Sequence, residues 1–338
     1  MTNINVCFYH KDCNDGLVSA YNVWEKNKNN TLCIPITYHE FKDQTPDEFM
    51  EMCFSDKVVQ ASLFSSFKGS VSFLLKESKT SVKAFLVDIS VPKHILLRIS
   101  EMFKEVLVLD HHASANEIYE NDPDFVSTTN HSEIKGYLFN KNVRIFMDSV
   151  NSGAYLTYCA MNPLAKEVPE CIKLVSQYDT WKKPNKDPDY FAAGLRASNP
   201  RSFKDMTAIL EDAGKTIEIG KIIDVDRENR SKAAISRRTV IDVHYQGNVY
   251  KAGIVNSNMD ISSLIGNNLV VDHGLDIGMT YVITTDKKVG WSIRSKAPFS
   301  CLFVAKHFNG GGHEQACGFS TDLQYLLDLL SEGVMRIE

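Results

Sequence analysis

The stretch VLVLDHHASA, residues 106–115, decides how the first half of this chain is read. Four aliphatic residues, Val106 to Leu109, run without a polar break into Asp110, His111 and His112. A short, continuously apolar run is the pattern of a strand buried on both faces of a parallel sheet. Taken alone, the polar end of that strand reads as a carboxylate and two imidazoles satisfying the backbone groups of a loop. The reading changes with what the other strands deliver.

Working outward, INVCFY (4–9) and AFLVDIS (84–90) are two more strands, and GLVSAYNVWEKN (16–27) is an amphipathic helix. SGAYLTYCAM (152–161) and PECIKLVSQY (169–178) are helical. Strands separated by helices predict βαβ units around a parallel sheet. The texture shifts after DTWKKPNKDPDY (179–190). A charged, helix-prone segment follows over about 203–238, with a break expected near Gly214. From about residue 240, TVIDVHY, YKAGIVN, MTYVITTD and VGWSIRS read as strands of a smaller mixed sheet, with DISSLIGNNLVV and SCLFVAKHF as its helices. The expected architecture is therefore α/β throughout. A parallel-sheet domain with flanking helices spans 1–190, a helical linker 191–240, and a smaller α/β domain 241–338.

Bulk properties exclude several classes. The 338 residues are about two domains' worth. With 43% hydrophobic and 23% charged residues they can build a sizeable core. A formal net charge of −5 argues against a protein that coats long DNA or RNA. Small anionic ligands stay open, because a few local cations suffice for them. Eight cysteines show no CxxC pair, and MTNINVCFYH carries no basic leader. Both features predict reduced thiols in a cytoplasmic protein. No apolar run is long enough to span a bilayer, so no membrane partner is expected.

The strand ends carry the chemistry. VCFYHKDCNDG ends in His10, Asp12, Cys13 and Asp15; the second strand carries Asp88; the third carries Asp110, His111 and His112. In open α/β sheets ligands bind outside the carboxyl ends of the strands, so one rim receives all of these groups. Asp179, after CIKLVSQY, is a fourth contributor. Crowded carboxylates repel unless cations sit between them. A set dominated by Asp with a few His suits Mn²⁺ or Mg²⁺ better than a thiolate-rich zinc cage.

At these residues the sequence resembles the DHH phosphoesterases, and within them the DHH–DHHA1 group of oligoribonucleases (nanoRNases) and dinucleotide phosphodiesterases. HKDCNDGLVSA is similar to the first motif, LVDIS to the second, LDHHAS to the third and VSQYDTW to the fourth. NSGAYLTY resembles the helix between the last two, and SIRS (292–295) with NGGGHEQACGF (309–319) resembles the DHHA1 signature. The resemblance covers nearly the whole chain, and the six motifs fall in order.

It implies two divalent ions, usually Mn²⁺, with Mg²⁺ or another divalent ion as substitutes. His10 and a first-motif acid would hold one ion; Asp15, His111 and Asp179 the other; Asp88 would bridge both. His112 would face the substrate phosphate, and Asp110 would orient a neighbouring imidazole, as metal-bound histidine usually requires. The first motif departs from the usual spacing of two acids before glycine, reading Cys13-Asn14-Asp15-Gly16. Either Asp12 supplies the missing carboxylate or Cys13 occupies its place. Thiolate suits Mn²⁺ poorly, which favours Asp12. Two such ions acidify water and draw charge from phosphoryl oxygens. In-line attack on a phosphodiester then expels a ribose 3′ oxygen and leaves a nucleoside 5′-monophosphate.

In the second domain the resemblance implies that Arg294 and His313 grip phosphates that are not cut. Ser292 is a lesser candidate beside them. Gly310, Gly311 and Gly312 would let the backbone approach a ligand and offer N–H donors, although a glycine triplet is also what a tight turn needs. Trp181 is expected to buttress the fourth motif, and Arg196 either to reach the cleft between domains or to be a solvated loop arginine. The expected substrates are short 5′-phosphorylated oligoribonucleotides, above all linear dinucleotides such as pGpG or pApA, taken into an interdomain cleft. A cyclic-dinucleotide phosphodiesterase is the close alternative, and a nucleotide-binding regulator with an impaired metal centre the one from another class. Long nucleic acid is not expected as a partner, since a processive exonuclease needs a longer basic channel. The resemblance also suggests a homodimer.

Overall fold

The computed structural model describes residues 4–11, 13–27, 30–38, 40–41, 44–55, 58, 79–130 and 134–337. Two compact units emerge, Met1–Ile223 and Asp224–Glu338.

The first unit opens with strand β1 (Asn5–His10), helix α1 (Asn14–Asn27), β2 (Thr31–Ile36) and α2 (Pro46–Cys53). The start of α2 is set by its sequence. Thr45 Oγ1 accepts from the Glu48 amide, the Glu48 carboxylate accepts from the Thr45 amide, and Pro46 pre-sets the first helical φ. Then come β3 (Lys83–Val87), α3 (Lys93–Met102), β4 (Glu105–Asp110), α4 (Ala113–Asn121), β5 (Val126–Asn130), β6 (Ile134–Phe139) and β7 (Val143–Asp148). Helices α5 (Gly153–Met161), α6 (Glu170–Asp179), α7 (Asp187–Ser198) and α8 (Phe203–Glu211) follow, and α9 (Ala213–Ile235) runs through the division between the units.

The seven strands lie in the order β2-β1-β3-β4-β7-β6-β5. The five from β2 to β7 are parallel, and β6 and β5 continue the sheet antiparallel. Alternate residues of each central strand bury into opposite layers. Val6, Phe8, Leu86, Val106 and Val108 pack with α2, α3 and α4. Cys7, Tyr9, Val87 and Leu109 pack with α1 and α5 to α8. Burial on both faces is why these strands read as unbroken apolar runs. Phe191, Leu195, Phe203, Met206 and Leu210 lie in the second of these cores. Residues 191–223, expected in a linker, are therefore packed into the first unit. The break expected near Gly214 falls at Asp212, between α8 and α9.

In the second unit β8 (Thr239–Tyr245), β9 (Asn248–Asn256), α10 (Met259–Val271), β10 (Ile277–Ile283), β11 (Lys288–Ser295), α11 (Leu302–His307), β12 (Gly311–His313), β13 (Ala316–Asp322), α12 (Leu323–Glu332) and β14 (Val334–Ile337) follow in turn. They form a mixed sheet in the order β12-β13-β11-β10-β9-β8-β14. One face buries Trp291, Ile293, Cys317 and Phe319 with α11 and α12. The other buries Val255 against Ile261, Ile265 and Leu269 of α10. Among the described residues no helix is long and apolar enough to cross a membrane.

Candidate metal centre

Strands β1, β3 and β4 are neighbours and parallel, so their carboxyl ends reach one edge together. His10 is the last residue of β1 and Asp110 the last of β4, while Asp88 directly follows β3. Asp15 lies in the first turn of α1 and Asp179 is the last residue of α6.

Asp88 is the centre of the group. Its backbone is left-handed, with φ at 56°, a conformation that Asp and Asn reach more readily than most residues. Its amide donates to the Leu109 carbonyl at 2.9 Å, which fixes the turn against the tip of β4. The side chain is 1% exposed. One oxygen lies 3.2 Å from His111 Nε2 and the other 3.5 Å from His10 Nδ1. Neither oxygen, nor His10 Nδ1, finds a partner in hydrogen-bonding geometry. Buried polar atoms are nearly always paired, so three such atoms facing one another call for something between them. His111 Nε2 also lies 3.2 Å from Asp179 Oδ2 and 3.7 Å from Asp15 Oδ2. Cys13 Sγ joins His10 and Asp88, with the donor atoms within 4.8 Å of one another; Asp15, His111 and Asp179 make a second such group.

The electrostatics demand positive charge. Burial, and then the charges of Asp88 and Asp179, push the Asp15 carboxyl well above the usual range, against the pull of the Ser152 hydrogen bond. Burial also raises Asp179, with the Asp88 charge adding and His111 opposing. Asp88 is raised by burial too, but the adjacent His10 and His111 imidazoles outweigh this and hold it below the usual range. Burial, and next the Asp88 charge, push the Cys13 thiol up to about 12. It is a thiol at neutral pH until a metal displaces its proton. Three carboxylates, two imidazoles and buried oxygens without donors fit divalent cations of the hard to borderline kind.

Two serines brace carboxylates of this group, and neither was visible in the sequence. Ser152 stands at the N-cap of α5, yet its hydroxyl caps nothing. It donates instead to Asp15 Oδ1 at 2.5 Å, and the Gly153 and Ala154 amides donate to the same carboxylate at 2.8 and 3.0 Å. A helix N-terminus thus cradles a ligand carboxylate. The motif NSGAYLTY pointed to this helix but gave Ser152 no role. Removing a hydrogen bond that orients a ligand costs 10- to 100-fold in affinity. Ser152→Ala is expected to weaken Mn²⁺ binding by about that factor, as read by isothermal titration calorimetry; unchanged affinity would remove the brace. The second brace is Ser90, which donates to Asp110 Oδ2 at 2.6 Å. Asp110 Oδ1 accepts from the His111 amide at 2.7 Å and lies 2.7 Å from His112 Nδ1. Asp110 therefore orients His112. Its carboxylate overcomes the effect of burial, which acts first in the other direction, and raises the His112 imidazole to about 9.

The structure thus brings His10, Asp15, Asp88, His111 and Asp179 together, with Asp110 and His112 alongside. Asp12 lies outside the described residues, and the group around His10 contains Cys13.

The remaining candidates lie in the second unit. Ser292 and Gly310 line a groove of about 640 Å³ floored by small residues of β11 and β13, including Gly290, Gly318 and Ser320. Arg294 donates to the Ile293 carbonyl at 2.8 Å and to Ser263 Oγ at 2.6 Å, and no carboxylate pairs with it among the described residues. Register sets Arg294 and His313 level on either side of Ala316, about 10 Å apart by strand spacing. Two of the three glycines have packing reasons of their own. A side chain on Gly310 would strike the Gly318 carbonyl, and Gly312 has φ at 136° against Ala316 and Cys317. Only Gly311 faces open space.

No family model matches the sequence, and no curated protein matches it. Solved structures of low identity do align along its length. An exopolyphosphatase-related protein from Bacteroides fragilis is 14% identical over 98% of this chain and 91% of its own, with a TM-score of 0.46. A pGpG-specific phosphodiesterase from Vibrio cholerae is 10% identical over 97% and 98%, with a TM-score of 0.45. An uncharacterized protein from Helicobacter pylori is 14% identical over 97% and 98%, with a TM-score of 0.35. At such values a likeness decides nothing about chemistry, and the site has to be read from its own residues.

Proposed function

We propose that this chain is a metal-dependent phosphodiesterase that hydrolyses short 5′-phosphorylated oligoribonucleotides, above all linear dinucleotides, to nucleoside 5′-monophosphates. The observation that carries it is Asp88, buried, with both carboxylate oxygens lacking a donor between His10 and His111, and with Asp15 and Asp179 beside them. His10 and Asp88, with Asp12 or Cys13 as the third ligand, would hold one divalent ion, and Asp15, His111, Asp179 and Asp88 a second, Mn²⁺ by preference at this second, oxygen- and nitrogen-lined place. Bound there, the ions would supply an acidified water and withdraw charge from the phosphoryl group.

The chain's own part is positioning and proton supply. Asp110 fixes the His112 ring and raises its pKa, so His112 would bring an oriented N–H donor to the edge where a phosphate would sit. A positioned acid is worth about 10²- to 10⁴-fold. His112→Asn is expected to lower kcat about 100-fold while Mn²⁺ affinity by calorimetry stays within about threefold; an unchanged kcat would take His112 out of the reaction. In the second unit the Arg294 guanidinium, which has no carboxylate partner among the described residues, supports with Ser292 and His313 the binding of an anionic ligand.

The deciding experiment is a turnover panel in Mn²⁺ with pGpG, pApA, a 5′-phosphorylated RNA pentamer and the two corresponding cyclic dinucleotides, resolved by ion exchange, with Asp88→Asn as blank. Release of nucleoside monophosphate from the linear substrates is expected. Turnover of the cyclic ligands alone would move the activity to cyclic dinucleotides, and binding without turnover would make the chain a nucleotide-binding regulator.

A further inference from the structure

Trp181 does not buttress the metal ligand two residues before it. Its side chain is 81% exposed. Its backbone is left-handed, with φ at 57°, at the place just past the Thr180 cap of α6 where glycine or asparagine normally ends a helix. A bulky aromatic residue is uncommon there and strained. With the backbone turned this way the indole stands out in solvent.

The ring is nevertheless fixed. Lys183 Nζ sits 4.3 Å from its centroid and 4.6 Å from that of Tyr178. Lys183 is itself pinned by Asp189 at 2.6 Å and is only 16% exposed. On the far side of this cluster Arg196, in the last turn of α7, lies over the Tyr178 ring at 5.5 Å. Among the described residues no carboxylate pairs with the Arg196 guanidinium; it touches only the Tyr178 hydroxyl, at 3.5 Å. An oriented, solvent-facing aromatic face and a free cation thus stand beside Asp179. Two residues span at most about 7 Å of chain, so the indole is within a nucleotide's reach of the centre.

We propose that Trp181 stacks the base of a nucleotide flanking the scissile phosphate, and that Arg196 takes a phosphate of the same substrate. This rests on the phosphodiesterase reading and deepens it. The indole offers one flat face and a base offers another, so recognition here tolerates any base. Charge complementarity selects a nucleotide over a neutral aromatic ligand, because Arg196, over the neighbouring Tyr178 ring, is a cation with no carboxylate partner among the described residues. Trp181 and Arg196 are binding residues in this account and take no part in bond breaking.

The test compares Trp181→Ala, Trp181→Phe and Arg196→Gln with wild type, using pApA and its two analogues with one base replaced by hydrogen. Stacking lost to alanine raises KM for pApA about 5- to 100-fold, with kcat moving less than about twofold. Phenylalanine restores most of it, and Arg196→Gln raises KM as well. With one of the two abasic analogues the alanine variant matches wild type. An unchanged KM for pApA in Trp181→Ala, or an equal rise with both abasic analogues, would overturn the proposal. A second arm does not need turnover: titration of the Mn²⁺-loaded protein, with residue 88 unchanged, with a non-hydrolysable methylenephosphonate analogue of pApA, followed by tryptophan emission. Quenching that disappears with an added Trp181→Phe change supports the platform even if the wild type hydrolyses nothing, and quenching that survives that change, or no quenching at all, overturns it.

Discussion

Asp88→Asn is expected to lower kcat/KM by at least about a thousandfold, since charge stabilisation by bound ions is worth several kcal/mol. The substitution is clean for two reasons. Asparagine has the same shape and tolerates the left-handed backbone that Asp88 adopts. The Asp88 amide bond to Leu109 involves no side-chain atom, so the turn survives. What is lost is the negative charge between His10 and His111. Calorimetric titration with Mn²⁺ is expected to lose binding along with turnover, while the circular dichroism spectrum stays that of wild type. Wild-type hydrolysis by this variant would remove Asp88 from the centre and the proposed chemistry with it.

The second large effect is on stability. Helices α7 and α9 meet without side chains between them at two points. Gly194 faces the Thr216 carbonyl, and Gly220 faces the Tyr190 carbonyl; a Cβ on Gly220 would fall 1.8 Å from that oxygen. Backbone cannot swing aside as a flexible side chain can. Gly220→Ala is therefore expected to destabilise the first unit by about 3 kcal/mol, a fall of about 6 to 12 °C in Tm for a domain of this size. Gly214→Ala, in the same helix, is the control. Its added Cβ meets only Asp212 Oδ1, at 3.7 Å, and the better helix propensity of alanine makes the change neutral to about 0.5 kcal/mol stabilising. Equal melting temperatures for the two variants would mean that the helices do not touch there.

The fold was legible where burial is two-sided. β1, β3 and β4 announce themselves because both faces are covered, and their polar tips stand out against apolar runs. That contrast is what exposed His10, Asp88, Asp110 and His111. Strand β7 and the antiparallel extension β6–β5 were missed, since β6 and β7 mix buried and exposed positions and carry no such run. Residues 191–223 looked like a linker because a Pro- and charge-rich stretch precedes them and a charged, helix-prone segment runs through them, while Ala192, Ala193 and Gly194 carry no large apolar side chain. Small residues are what allow two helix backbones to approach. The braces were invisible for another reason. Ser152 and Ser90 act through one hydrogen bond each to a distant carboxylate, and nothing local distinguishes them from other serines. Trp181 shows the limit from the opposite side. Hydrophobic patterning counts residue types, so an indole turned outward reads the same as one turned in.

The proposed ligands come from five separate places, at or next to β1, α1, β3, β4 and α6. No continuous fragment of the first unit carries a complete set. Each ligand is brought in by closing a long loop, at an entropic cost that rises only slowly with loop length. Ions can therefore bind tightly only to a first unit whose sheet and helices are already in place, and occupancy becomes a seal on finished folding. At free ion a hundredfold above its Kd, such binding adds about 2.7 kcal/mol to the folded state. Protein stripped by a chelator should unfold and be cut by protease sooner in its first unit. The same ions proposed to supply the hydrolytic chemistry would then set how long the protein lasts.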